Sequence, residues 1–281
     1  MIVLPVMSFV GLSLSKLSPF VKTGRRYSIS RLFSTMSKGG RIVNAGEQIG
    51  LQQLFDDDSY THTYLLWDQT TKDAILVDPV DLQVDRDLKV VNDLGLNLVY
   101  GVNTHAHADH ITGTYLLKQK VPEMKSVISA ASGAAADVKI GHGDRIFFGN
   151  RFVEARATPG HTVGCMSYVA DDKSFVLTGD ALLIHGCGRT DFQGGSAETL
   201  YESVHTQLFT LPKDTIVYPA HDYMSRTEST IGSEIECNPR LGEGKTKEEF
   251  VEIMANLNLA YPKKIDVAVP ANMRCGVPDV E

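Results

Sequence analysis

A chain of 281 residues, 43% apolar and 22% charged, carries enough apolar material for one sizeable core and reads as an ordinary globular protein. Its 27 basic against 34 acidic residues exclude the clustered cations that nucleic acid demands. No apolar run of about 18 residues suits a membrane span, because Pro5 and small or polar residues interrupt the apolar start. The first 46 residues stand apart: they hold Lys16, Lys22, Arg25, Arg26, Arg31, Lys38 and Arg41, many serines, and no Asp or Glu. An apolar start followed by arginine and serine predicts a mitochondrial transit segment over residues 1–36, with residues 37–281 working in the matrix as a single domain. Setting the seven cations aside leaves 20 basic against 34 acidic side chains, a net charge near −14. An anionic substrate must therefore meet local cations.

Runs rich in β-branched residues predict strands at 74–77, 98–102, 126–129, 151–155, 166–169, 175–177 and 215–218. Helical patterns fall between some of them, at 84–94, 111–120 and 197–209, the last headed by Ser196 as N-cap. After Tyr218 the strand signals fade. Thr246 and Glu249 then form a capping box for an amphipathic helix reaching Leu259, in a tail too short for a core of its own. Strands and helices mix, so the class is α/β or α+β. Cys165, Cys187, Cys237 and Cys275 show no C-x-x-C spacing, which predicts reduced thiols, each filling a buried apolar slot.

The chemistry concentrates where strands end. Asn103-Thr104-His105-Ala106-His107-Ala108-Asp109-His110 follows one strand and precedes a helix, and a loop is where side chains converge on a point. Thr158-Pro159-Gly160-His161, Thr178-Gly179-Asp180 and Tyr218-Pro219-Ala220-His221 repeat the pattern: a strand, then one side chain able to bind a metal. His62, His142, His185 and His205 read as structural or exposed, although His185 lies close to Asp180 and to Gly186-Cys187-Gly188-Arg189, whose glycines allow close backbone approach to a ligand.

The H-x-H-x-D-H motif followed by His161, Asp180 and His221 resembles the metallo-β-lactamase superfamily over residues 47–230. The resemblance implies an αββα sandwich with metal at its edge, here with a short C-terminal helical extension. In many members one metal is held by the equivalents of His105, His107 and His161 and another by those of Asp109, His110 and His221, with Asp180 bridging. The stretches NTHAHADHITG, TPGHTVGC and GDALLIHGCGRTDFQGG are more similar still to the persulfide dioxygenases. That resemblance implies one Fe(II) per chain held by His105, His161 and Asp180, with His107, Asp109, His110 and His221 supporting from behind; Asp222, beside His221, is read as orienting a histidine or the loop. Two imidazoles and a carboxylate on one face of iron leave positions for a persulfide sulfur and O2. The implied reaction turns glutathione persulfide, O2 and water into glutathione and sulfite. Because glutathione is anionic, Arg189 and Arg240 are candidates to hold its carboxylates and Tyr223 to donate a hydrogen bond.

Two rival readings differ in kind. A glyoxalase II type hydrolase shares the fold, the ligand set and a glutathione-bearing substrate, but uses two metals and usually a larger helical C-terminal domain, whereas 60 residues follow His221 here. A non-catalytic scaffold predicts eroded ligands, and every ligand is present. Whether the chain assembles as a homodimer is left open by the sequence.

Overall fold

The strand pair β2 (Ile49–Asp56) and β3 (Thr61–Asp68) shows how this chain spends its apolar residues. Along β3, Tyr64 and Leu66 point into one cluster while Leu65 and Trp67 point into another, so all eight residues are buried. A strand covered on both faces loses the alternation that marks a half-exposed one, and this hairpin lies outside the strands expected from the sequence. The computed structural model describes residues 42–45 and 49–277; the expected transit segment lies outside them.

One sheet has seven strands in sequential order. It runs from β1 (Ile42–Ala45) through β2 and β3 to β4 (Asp73–Val77), β5 (Asn97–Val102), β6 (Lys125–Ser129) and β7 (Val138–Ile140). The pairings from β1 to β4 are antiparallel and those from β4 to β7 parallel. The parallel pairs need crossovers, and α1 (Val84–Asp93) and α2 (Thr114–Lys120) supply two of them. The second sheet contains β8 (Arg145–Phe148), β9 (Arg151–Ala157), β10 (Met166–Ala170), β11 (Phe175–Gly179), β12 (Ile216–Pro219) and β13 (Ser229–Thr230). Its order is β13-β12-β11-β10-β9-β8, and only the β11–β12 pair is parallel.

Three buried clusters define the layers. Ile49, Tyr64, Ile75, Phe148, Tyr168 and Phe175 belong to the core between the sheets. Leu65, Trp67, Leu76, Val84, Val91 and Leu117 join the outer face of the first sheet to α1 and α2. On the far side Val176, Val217, Leu200, Ile231 and Phe250 join the second sheet to α3 (Ala197–Ser203), α4 (Ile231–Cys237) and α5 (Lys247–Ala255). The result is the expected αββα sandwich.

The seven expected strands are present with ends shifted by at most two residues. Ser196 caps α3 through Thr199 N–H, and Thr246 with Glu249 forms a complete capping box on α5. The helix expected over 197–209 is α3 followed by a π-turn over Val204–Leu208. The tail holds more helix than expected, with α4 and α6 (Ile265–Met273) in addition to α5. Pro270 inside α6 conceals that helix from a reading based on helix breakers. Among the cysteines, Cys165 and Cys187 are buried, Cys275 is half-buried, and Cys237 is exposed, correcting the expectation that each fills a core slot.

Candidate metal centre

All the strand-end side chains come to one edge of the two sheets. His105 to His110 follow β5, His161 follows β9, Asp180 follows β11 and His221 follows β12. Ligand atoms of His105, His161 and Asp180 lie within 4.8 Å of one another. The His105 and His161 rings meet edge to face, 4.9 Å between centroids.

Hydrogen bonds fix which atoms of these three residues face the centre. His161 Nδ1 lies 2.7 Å from the Arg189 carbonyl. A carbonyl only accepts, so Nδ1 carries the proton and Nε2 keeps its lone pair. His105 Nδ1 lies 3.0 Å from Thr104 Oγ1, whose own proton goes to Asp78 Oδ2 at 2.8 Å, so His105 also turns an unprotonated Nε2 outward. Asp180 uses Oδ1 to accept from His221 Nδ1 at 2.7 Å, leaving Oδ2 3.5 Å from His161 Nε2. Two electron-rich atoms thus approach with no proton between them, which is what a cation site requires. Two neutral imidazoles and one carboxylate suit ferrous iron, so the residues fit that ion.

Close backbone approach makes this arrangement possible at Gly188. A Cβ there would stand 2.6 Å from the Asp180 carbonyl and 2.9 Å from His161 Nδ1, so only glycine lets this segment pass behind both residues.

The other histidines and acids of the motif are engaged with one another. His221 donates from Nε2 to Asp109 Oδ2 at 3.0 Å, and His110 Nδ1 lies 2.8 Å from the same oxygen. His107 Nε2 bonds to Asp78 Oδ1 at 3.0 Å. His107 Nδ1 and His110 Nε2 are buried without a hydrogen-bond partner. Burial lowers the proton affinity of His221, but the carboxylates of Asp180 and Asp109 on either side outweigh it and raise its pKa well above the usual histidine value. Burial and the neighbouring His107 and His161 rings push His105 well below that value. Asp180 is pulled down despite its burial by His221, then by His161 and His105.

Two residues that the sequence reading passed over organise this edge. Asp78, directly after β4 and 1% exposed, accepts from the backbone and hydroxyl of Thr104 and bonds His107. Its place at a strand end followed by Pro79 is the same signal that marked the histidines. Asn272 of α6 donates to the carbonyls of His107 and His110, both at 2.8 Å, and accepts from Thr112 N–H; no local pattern announces it.

The remaining candidates lie around the rim. Tyr223 is exposed, with its ring parallel to that of His221 at 6.2 Å and 5.4 Å from Tyr60. Asp222 accepts from the backbone of Met224 and Arg226 and from the Arg226 guanidinium, which closes the loop behind His221. Arg240 donates to the Cys187 carbonyl at 3.0 Å. Arg189 forks onto Asp191, donates to the Ala260 carbonyl and lies over Phe192.

Comparison with known proteins places the chain. Residues 56–221 match the metallo-beta-lactamase superfamily. The mitochondrial persulfide dioxygenase ETHE1 of Homo sapiens is 56% identical over 233 residues, covering 83% of this chain and 91% of the relative. The crystal structure of ETHE1 from Myxococcus xanthus superposes with a TM-score of 0.78 at 50% identity, covering 80% of this chain and 99% of that one. The cytoplasmic hydroxyacylglutathione hydrolase of Arabidopsis thaliana is more distant, at 30% identity over 233 residues, 78% of this chain and 86% of that relative. With its metal-binding edge and these relatives, the chain belongs to the persulfide dioxygenase family of the metallo-β-lactamase superfamily.

Proposed function

We propose that this chain oxidises glutathione persulfide with O2 and water to glutathione and sulfite, using one Fe(II) held by His105 Nε2, His161 Nε2 and Asp180 Oδ2. The observation that carries the reading is the division of labour at the sheet edge. Three residues turn unprotonated donor atoms to one point, while His221 commits both ring nitrogens, to Asp180 and Asp109, and His110 Nδ1 is committed to Asp109. Bound there, ferrous iron supplies reactivity toward O2 and open positions for the persulfide sulfur, neither of which a side chain offers.

The protein's own part is placement. Arg189 O and Thr104 Oγ1 hold the two imidazoles in the tautomer that binds metal, and His221 fixes the carboxylate. Arg240 and Tyr223 are the proposed contacts for the glutathione carboxylates and amides. Arg189 joins them by exchanging Asp191 for a substrate carboxylate. The proposal includes cleavage of residues 1–36 and action of residues 37–281 in the mitochondrial matrix.

The test is oxygen uptake by the iron-loaded enzyme given glutathione persulfide, with metal analysis of the same sample. One iron per chain with persulfide-dependent uptake, both lost in Asp180→Ala, is the expected result. Two metals per chain with hydrolysis of S-lactoylglutathione would replace this reading with the hydrolase.

A further inference from the structure

The hydroxyl of Thr61 stands among the residues that hold the second metal in two-metal members of the superfamily. Thr61 is fully buried at the start of β3. Its Oγ1 donates to Asp109 Oδ2 at 3.1 Å and lies 3.3 Å from both His110 Nδ1 and His221 Nε2. We infer that Thr61 is a positioning residue that keeps the centre at one metal, its hydroxyl holding Asp109, His110 and His221 closed upon themselves so that no second cation enters. The inference rests on the one-iron reading above and adds to it the residue that enforces the count.

Three features give the hydroxyl this command. Its backbone cannot drift, because Thr61 pairs with His221 in an antiparallel bridge and the next residue, His62, donates its N–H to the Ala220 carbonyl at 2.7 Å. A β-branched side chain has little χ1 freedom, and Ser59 sits against it from the turn, Oγ 2.8 Å from Thr61 Oγ1, where it blocks movement to that side. Ser59 is itself anchored by Asp56, which accepts from its N–H and its hydroxyl. Asp109 Oδ2 consequently has hydrogen-bond contacts with Thr61, His110 and His221.

Donors for a second ion are still present, with His107 in place of His221, whose equivalent holds it in two-metal members. His107 Nδ1 and His110 Nε2 are buried without partners beside Asp109, and the ligand atoms of these three residues lie within 4.8 Å of one another. Removal of the Thr61 hydroxyl and methyl should therefore open a place that the surrounding side chains can already fill with bonds.

The experiment compares the iron-loaded parent, Thr61→Ala and Thr61→Ser after incubation with excess zinc and desalting, with iron and zinc counted per chain by mass spectrometry. The parent and Thr61→Ser should retain one iron and no stoichiometric zinc, while Thr61→Ala should gain about one zinc. Thr61→Ala with a parent-like circular dichroism spectrum and no added zinc would overturn the inference while leaving the one-iron reading intact. A parent that itself takes up a second equivalent would overturn that reading and the inference with it. Should Thr61→Ala not fold, Ser59→Ala removes the brace and leaves the strand whole; its zinc content should rise above the parent's, and no rise counts against the proposal.

Discussion

His221 donates from Nδ1 to Asp180 across 2.7 Å, and its other nitrogen is held by Asp109, so this imidazole is the spacer that sets the distance between the two carboxylates. Outer hydrogen-bond partners of metal ligands typically contribute about 10–100-fold to metal affinity. His221→Ala should therefore weaken metal binding by about that factor while leaving the proposed ligands His105, His161 and Asp180 in place. Competition with a chelator of known affinity measures the loss.

Gly188→Ala tests the close approach behind the ligands. A methyl group there collides with the Asp180 carbonyl, which is backbone and cannot swing aside, and with His161 Nδ1. The overlap should destabilise the fold by about 1–3 kcal/mol, and metal content should fall with it. Thermal melting together with metal analysis reports both effects.

The thiols should divide by burial. Burial pushes Cys165 up to about 12 and Cys187 up to about 11, the latter against the opposing influence of Arg240. Cys237 is exposed. Since the thiolate is the reactive form, iodoacetamide at pH 8 should modify Cys237 in the native protein and reach Cys165 and Cys187 only after unfolding. Peptide mapping by mass spectrometry distinguishes the sites.

Asp87 on α1 gives a pH dependence of opposite sign to that of an ordinary ion-paired acid. Burial raises it to about 6, and Arg86, though adjacent, does not restore it. Its Oδ2 has no hydrogen-bond partner. Between the unfolded carboxyl value near 4 and the folded value near 6 the native state binds the extra proton, so this site's contribution to stability increases as pH falls through that window and is lost as pH rises. The stability of the parent relative to Asp87→Asn should increase from pH 7 to pH 4, by at most about 2–3 kcal/mol. Urea unfolding at several pH values tests the slope.

Much of the architecture could be read from residue order because the parallel strands and their helices have distinct periods. Val84, Leu88 and Val91 keep helical spacing along one face of α1, while runs such as Phe175–Gly179 are short, apolar and β-branched. The hairpin of β2 and β3 escaped because Thr61, His62 and Thr63 are polar and yet buried, held by bonds to residues distant in sequence. At the metal edge, donors were visible because each follows a strand. Which of them turn a lone pair to the centre depends on partners such as the Arg189 carbonyl and Thr104 hydroxyl, whose contacts exist only once the chain is folded.

Asn272 binds the histidine loop from the far end of the chain, through two carbonyls and one N–H of residues 107–112. During synthesis every candidate metal-binding side chain therefore leaves the ribosome before the helix that clasps the histidine loop. These three bonds exist only with α6 in place, so a messenger cut short after α5 would yield a chain with all the candidate donors and without this latch.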